Sequence, residues 1–192
     1  EGAGVGNATL KSEVKVNIPR NGVLSISADG NIESVQYKEF VYNDIHFDGM
    51  YQGTNVAANI SMNSPNNMFN LYGDITFGDQ LGFIVKGDIE QLDLRPFFMM
   101  ENWSAPLLST TINAEMSGKT IDEIVGTLVI ENTSIVDSNF MYNPGPIYLQ
   151  ALADEGEGKK IQIMSSFLEA EIKGDYYFTT ISNEFKKQLQ PH

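Results

Sequence analysis

The sequence contains no cysteine, which excludes disulfide staples, thiolate nucleophiles and Cys-ligated metals. Histidine is almost as scarce, with only His46 and His192, so no nucleophile–imidazole pair is evident. Basic residues are also short: 12 Lys and Arg stand against 25 Asp and Glu, for a formal charge of −13. Such a surface repels phosphate backbones and anionic headgroups, and nucleic acid is excluded as a partner. No apolar run approaches the roughly 20 residues of a membrane-spanning helix, and no signal-peptide pattern precedes the first alternating stretch. The chain opens Glu1-Gly2-Ala3-Gly4 rather than with Met, and we expect a piece of a longer protein. Disorder is not expected, because 42% of the 192 residues are apolar and aromatics recur throughout. That length suits one domain or a closely packed pair.

What the chain has instead is alternation. Phe69, Leu71, Gly73, Ile75 and Phe77 share one parity, opposite Asn70, Tyr72, Asp74 and Thr76. After Gly78-Asp79-Gln80 the pattern resumes, with Phe83, Val85, Gly87 and Ile89 on one side and Lys86, Asp88 and Glu90 on the other. Successive strand side chains point to opposite faces, so these runs predict two long, half-buried, antiparallel strands. The same reading applies along most of the chain. Val14, Val16 and Ile18 lead to an Asn21-Gly22 hairpin signal, and Leu24, Ile26 and Ala28 follow. Val41, Ile45, Phe47, Gly49 and Tyr51 form one parity, and Val56, Ala58, Ile60 and Met62 another strand. The segment Asp93 to Met100 breaks the pattern with a turn that Asp93 can cap. Leu108, Thr110, Ile112, Ala114 and Met116 restart it, and Thr120 to Glu123 has capping-box spacing. Leu128 and Ile130, a run from Ile135 to Tyr142, a rigid Asn143-Pro144-Gly145-Pro146 turn, and Ile161 with Ile163 come next. Leu168 to Phe178 closes the series. Ile181, Phe185 and Leu189 predict a short amphipathic C-terminal helix.

About a dozen strands, each with one apolar face, predict an all-β chain in two similar halves, near 10–100 and 105–192. One short helix cannot cover all those faces, so the sheet must fold over itself as a sandwich, a barrel or a U-shaped trough. The sandwich is the commonest answer, but the long runs favour a wide sheet.

Several chemistries have sequence candidates. Asp44, His46 and Asp48 could form a metal-binding row, but an exposed polar strand face is the better explanation of them. Asp122 with Glu123 and Asp154 with Glu155 are adjacent carboxylates, which usually mark solvated turns rather than acid–base pairs. Tyr37, Tyr42, Tyr51, Tyr72 and Tyr148 could stack on sugars, which makes a carbohydrate-binding or adhesive β-sandwich module the alternative function. No catalytic residue, metal site or cofactor is expected.

The segment Tyr37-Lys38-Glu39-Phe40-Val41-Tyr42-Asn43-Asp44-Ile45-His46-Phe47-Asp48-Gly49 resembles the TamB-like translocation and assembly proteins of the Bacteroidetes type. So do Phe69 to Phe77, the passage from Gly87 to Phe97, Gly118 to Glu131, and Phe167 to Phe178 running into the predicted helix. Their order and spacing carry the resemblance over most of the chain from Leu10. It implies an internal, non-catalytic segment of a long AsmA-type bridge protein, anchored in the inner membrane and crossing the periplasm. It further implies a U-shaped β-trough whose apolar lining carries phospholipid acyl chains or supports outer-membrane assembly, with an outer-membrane barrel protein as a possible partner. The lining would comprise Leu71, Ile75, Phe77, Phe83, Val85, Ile89, Ile112, Leu128, Ile130, Ile172, Tyr176 and Phe178. Inward glycines, Gly73 and Gly87, would leave room for a bound chain or let the sheet bend.

Overall fold

A computed structural model of the chain describes residues 5–18, 22–97, 103–138, 140–154, 158–174 and 177. The described residues form one antiparallel sheet whose strands lie side by side in sequence order, with one short strand off that path. Its strands are β1 (Val5–Asn17), β2 (Ser25–Tyr37), β3 (Phe40–Gln52), β4 (Asn55–Ser64), β5 (Asn67–Thr76), β6 (Leu81–Asp93), β7 (Leu107–Gly118), β8 (Val125–Asp137), β9 (Phe140–Tyr142), β10 (Ile147–Asp154), β11 (Gly158–Ser165) and β12 (Glu169–Gly174). The sheet order is β1-β2-β3-β4-β5-β6-β7-β8-β10-β11-β12, with β9 paired to β8. The sheet is open, with β1 and β12 as its edges. The two sequence halves are continuous in it, because β6 pairs directly with β7. The predicted turn at Thr120 is a 3-10 turn over Ile121–Glu123, and Thr120 makes no side-chain capping bond there. The predicted C-terminal helix lies outside the described residues.

Strand formation follows from the alternation, and register extends it across the sheet. Residues directly opposite one another in an antiparallel pair share a face. Ile26, Tyr51, Val56, Ile75, Phe83 and Met116 are successive partners from β2 to β7. That row continues through Gly126, Ala151, Ile161 and Ile172 to β12. A parallel row runs Ala28, Gly49, Ala58, Gly73, Val85, Ala114, Leu128, Leu149 and Ile163. A third contains Phe47, Ile60, Leu71, Gly87, Ile112, Ile130 and Ile147. One face is therefore apolar from edge to edge. The other is polar: Asp29, Asp48, Asn59, Tyr72, Lys86 and Asn113 form one of its rows.

A seam of irregularities crosses the sheet beyond the row Ile32, Ile45, Met62, Phe69 and Ile89. Pairing shifts between Thr9 and Leu10 of β1, between Met68 and Phe69 of β5, between Ile89 and Leu92 of β6, and between Ser109 and Thr111 of β7. Asp44 and Asn132 adopt left-handed backbone, with φ of 56° and 53°. Bulges add a residue to one strand, bend it and sharpen its twist. They also change which parity faces inward. Val41, expected to share a face with Ile45, is exposed, while Phe40 and Tyr42 are half-buried. Likewise the run expected from Ile135 to Tyr142 is two strands, β8 turning back into β9.

Past the seam lies the densest packing. Met62 and Leu94 are 3% and 5% exposed, and Pro96 and Pro106 are fully buried. The connector after β6 is fixed by Asp93 N–H to Asn66 O at 3.0 Å and Leu94 N–H to Pro106 O at 3.0 Å. It reaches the β2–β3 hairpin through Lys38 Nζ, which donates to Pro96 O at 2.7 Å, and through Phe97 stacked on Tyr37 at 6.3 Å. Asp93, expected to cap a turn, does so. Its Oδ1 accepts from Arg95 N–H at 3.0 Å. Its buried carboxylate also pairs with the Arg95 guanidinium, which lies over the Phe40 ring at 5.4 Å. The Arg95 hydrogen bond holds the Asp93 carboxyl below its ordinary range, against the opposing effect of burial.

A depressed carboxylate contributes stability above its unfolded pKa of about 3.9, and that contribution is lost as pH falls through the folded value. Arg95→Ala should therefore destabilise the sheet by about 1–3 kcal/mol at neutral pH, because it strands a buried charge. The gap to the wild type should close on acidification below about pH 4, as urea denaturation at a series of pH values would read.

Candidate functional site: the apolar face of the sheet

Nine of the twelve expected lining residues fall on the apolar face: Leu71, Ile75, Phe83, Val85, Ile89, Ile112, Leu128, Ile130 and Ile172. Phe77 lies one residue beyond the end of β5 at Thr76, exposed, and its N–H donates to Thr54 O at 2.6 Å. Tyr176 and Phe178 lie outside the described residues. The same face also holds residues that the sequence list passed over: Ile26, Phe47, Tyr51, Val56, Leu149 and Ile163 among them. Their alternation was visible in the sequence. What was missing was the register that places them beside the others.

Most of this face is half-buried. The buried apolar side chains among the described residues are Met62, Leu94, Ala114, Ala151 and Ile161, together with Pro144 and the prolines above. Val85, Ile60 and Ile172 remain largely exposed within it. A face of this kind removes far less apolar area from water than a closed core of equal width, so a ligand or partner lying on it gains what the chain itself does not.

The face is not flat. Three of its glycines meet two different fates. A Cβ on Gly30 would lie 2.6 Å from the Phe47 ring, and one on Gly87 would lie 2.3 Å from Leu71 Cδ2. Neighbouring side chains thus lie across these glycines and fill the gap, as aromatic and aliphatic cover commonly does for strand glycines. At Gly73 a Cβ would meet nothing within 4 Å. Gly87 therefore does not leave room for a bound chain, as the sequence suggested, but Gly73 does. With Ala28, Gly49 and Ala58 it makes a shallow furrow flanked by the larger residues of the rows on either side.

The polar face holds the other candidates, dispersed. His46 Nε2 lies 3.7 Å from Asp29 Oδ2, and Asp48 accepts a hydrogen bond from Asn59 Nδ2 at 3.0 Å. Among the described residues no group of His, Asp and Glu converges as a metal site. Asp122 and Glu123 sit in the 3-10 turn, and Glu155 lies outside the described residues. The carboxylates with moved pKa are all pushed downward by structural partners. Ser104 does this to Asp137, Arg95 to Asp93, and Lys160 with Lys173 to Glu171, which falls to about 2. The five tyrosines are split: Tyr51 is on the apolar face, Tyr72 and Tyr148 on the polar one, and Tyr37 and Tyr42 past the seam. They form no common platform.

Comparison of the chain with models of known families, with curated proteins and with solved structures found no match. The geometry of the apolar face is thus what bears on function.

The glycine contrast can be measured directly. Gly87→Ala should destabilise by about 1–3 kcal/mol, the range of overpacking. Gly73→Ala should change stability by less than about 0.5 kcal/mol. Urea midpoints of the two variants check this, and equal losses would refute the assignment of Gly73 to open space.

Proposed function

We propose that this chain is a non-catalytic segment of a periplasmic bridge protein of the TamB-like, AsmA-type class, its full-length form anchored in the inner membrane, and that its sheet curves into a trough whose apolar face carries phospholipid acyl chains between membranes. The observation that carries the reading is the apolar face itself, held in register from β1 to β12 without a break in its rows and left half-exposed. The seam of bulges and the open furrow at Gly73 support it, since the first supplies curvature and the second supplies space.

An acyl chain lying across the strands would follow one such row, passing from one strand's side chain to the next every 4.7–4.9 Å or so, the spacing of neighbouring strands. Each buried methylene would contribute about 0.8 kcal/mol. Because that energy is non-directional, the face would hold many lipids with similar affinity and let them slide, as a conduit requires and a selective receptor does not. Support of outer-membrane protein assembly, with a barrel protein as partner, would use the same apolar rows for client strands.

Native mass spectrometry of the purified chain should find phospholipid bound. Ile75→Asp, which places a carboxylate in the longest apolar row, should reduce the bound fraction by about tenfold or more, the equivalent of 1.4 kcal/mol. Thr76→Asp, on the opposite face, should leave it unchanged. Equal behaviour of the two folded variants, or a wild type free of lipid after exposure to phospholipid, would sink the proposal.

A further inference from the structure

At the end of β8, past the seam, the sheet carries an aromatic corner that the groove does not require. Trp103 packs edge-on against Phe140 at 5.3 Å, and Phe140 lies parallel to Tyr142 at 6.3 Å. These rings stay in contact with water: Phe140 is 51% exposed, Tyr142 41% and the intervening Met141 63%. Exposed rings on a short strand are a cost unless something holds them, and here something does. Asp137 accepts from Ser104 N–H at 2.8 Å, Ser104 Oγ at 2.7 Å, Ala105 N–H at 2.9 Å and Ser138 N–H at 2.8 Å. This clamp ties the residue after Trp103 to the β8–β9 turn, so the indole is held against Phe140.

Charge is missing from the same region. In a chain that is 19% charged, residues 102–114 and 138–153 contain no Asp, Glu, Lys or Arg. Asp137 is the charge at the border, and its oxygens are occupied by the clamp. Met141 pairs with Val136, also exposed, so the face of the β8–β9 hairpin opposite Phe140 and Tyr142 is apolar as well. The corner also joins the apolar face, since Leu92, Leu108, Ile135 and Tyr142 are successive partners across β6 to β9.

We propose that this corner is a contact site for a neutral, zwitterionic lipid surface, entering the headgroup region with Trp103, Phe140, Met141 and Tyr142. Aromatic side chains with a polar tip favour that depth, where one end is apolar and the other wet. A net charge of −13 directs the choice of lipid, because an anionic surface would repel the chain while a zwitterionic one would not. The contact gives the acyl-chain reading a point where lipid enters or leaves, and rests on that reading for what is exchanged. The contact itself stands without it.

Trp103 is the sole tryptophan, so its emission reports on this corner alone. On titration with phosphatidylcholine vesicles the emission should shift to the blue, and acyl-brominated phosphatidylcholine should quench it. Replacing part of the phosphatidylcholine with phosphatidylglycerol should weaken both effects. The double substitution Phe140→Ser and Tyr142→Ser should abolish them while the far-ultraviolet strand signal persists. Ile75→Asp, which disables the proposed groove, should keep the vesicle response. Loss of the response in Ile75→Asp would mean that Trp103 senses lipid in the groove, and would overturn the surface contact. An emission indifferent to vesicles would overturn it as well, and would assign the corner to a protein partner.

Discussion

Everything in this sheet depends on strand register. The pleat sends alternate side chains to opposite faces, so a slip of one residue between neighbouring strands would turn an entire apolar set toward the polar side. Along the row from Ile26 through Tyr51, Val56, Ile75 and Phe83 to Ile172 no such slip occurs. Turns help, because most strands pair with the one before them and a tight turn fixes where that pairing starts. On the polar face, cross-strand bonds add to it: Asn55 Nδ2 donates to Asp74 Oδ1 at 2.7 Å, and Thr111 Oγ1 to Asp88 Oδ1 at 3.0 Å. The polar side thus aligns the strands, and the apolar side inherits the alignment.

The seam shows where that rule is relaxed, and to what effect. A bulge reverses parity locally, and isolated reversals would break the apolar face. Here β2, β3, β6 and β8 all depart from regular pairing near one level, so their distal ends change face together. Phe40, Tyr42, Leu92 and Ile135 come back to the apolar side as a group. The connector with Leu94 and Pro96 packs against that end, and its buried Asp93 carboxylate, paired with the exposed Arg95, holds it in place. The result is a face whose two ends differ: one is packed and bounded by aromatics, while the other retains open space at Gly73.

Much of this was legible in the amino-acid sequence. Alternation identified nearly every strand and the correct inward parity of β4 to β7, because a period of two is a local property. The seam was not legible. Nothing in Val41-Tyr42-Asn43-Asp44 announces that Asp44 will take a left-handed backbone, since Asp tolerates that region without requiring it. The glycines separate local from non-local information most clearly. Gly73 and Gly87 stand in the same Gly-Asp-Ile phrase, yet one is open and the other lies beneath Leu71 from the neighbouring strand. Only the pairing of Leu71 with Gly87 distinguishes them.

The two faces also divide the chemistry of the surface. All the described carboxylates of the central polar rows lie on the face opposite the apolar rows, so a molecule lying on the apolar side makes no direct contact with them. That separation explains how so acidic a chain can present apolar area to a neutral ligand. The charge-free stretches 102–114 and 138–153 are joined at the aromatic corner, where Ser104 bonds Asp137 and Trp103 packs on Phe140. Charge on one face, apolar rows on the other and an uncharged aromatic rim where they meet is a single arrangement. Each part follows from keeping the register in phase across the sheet.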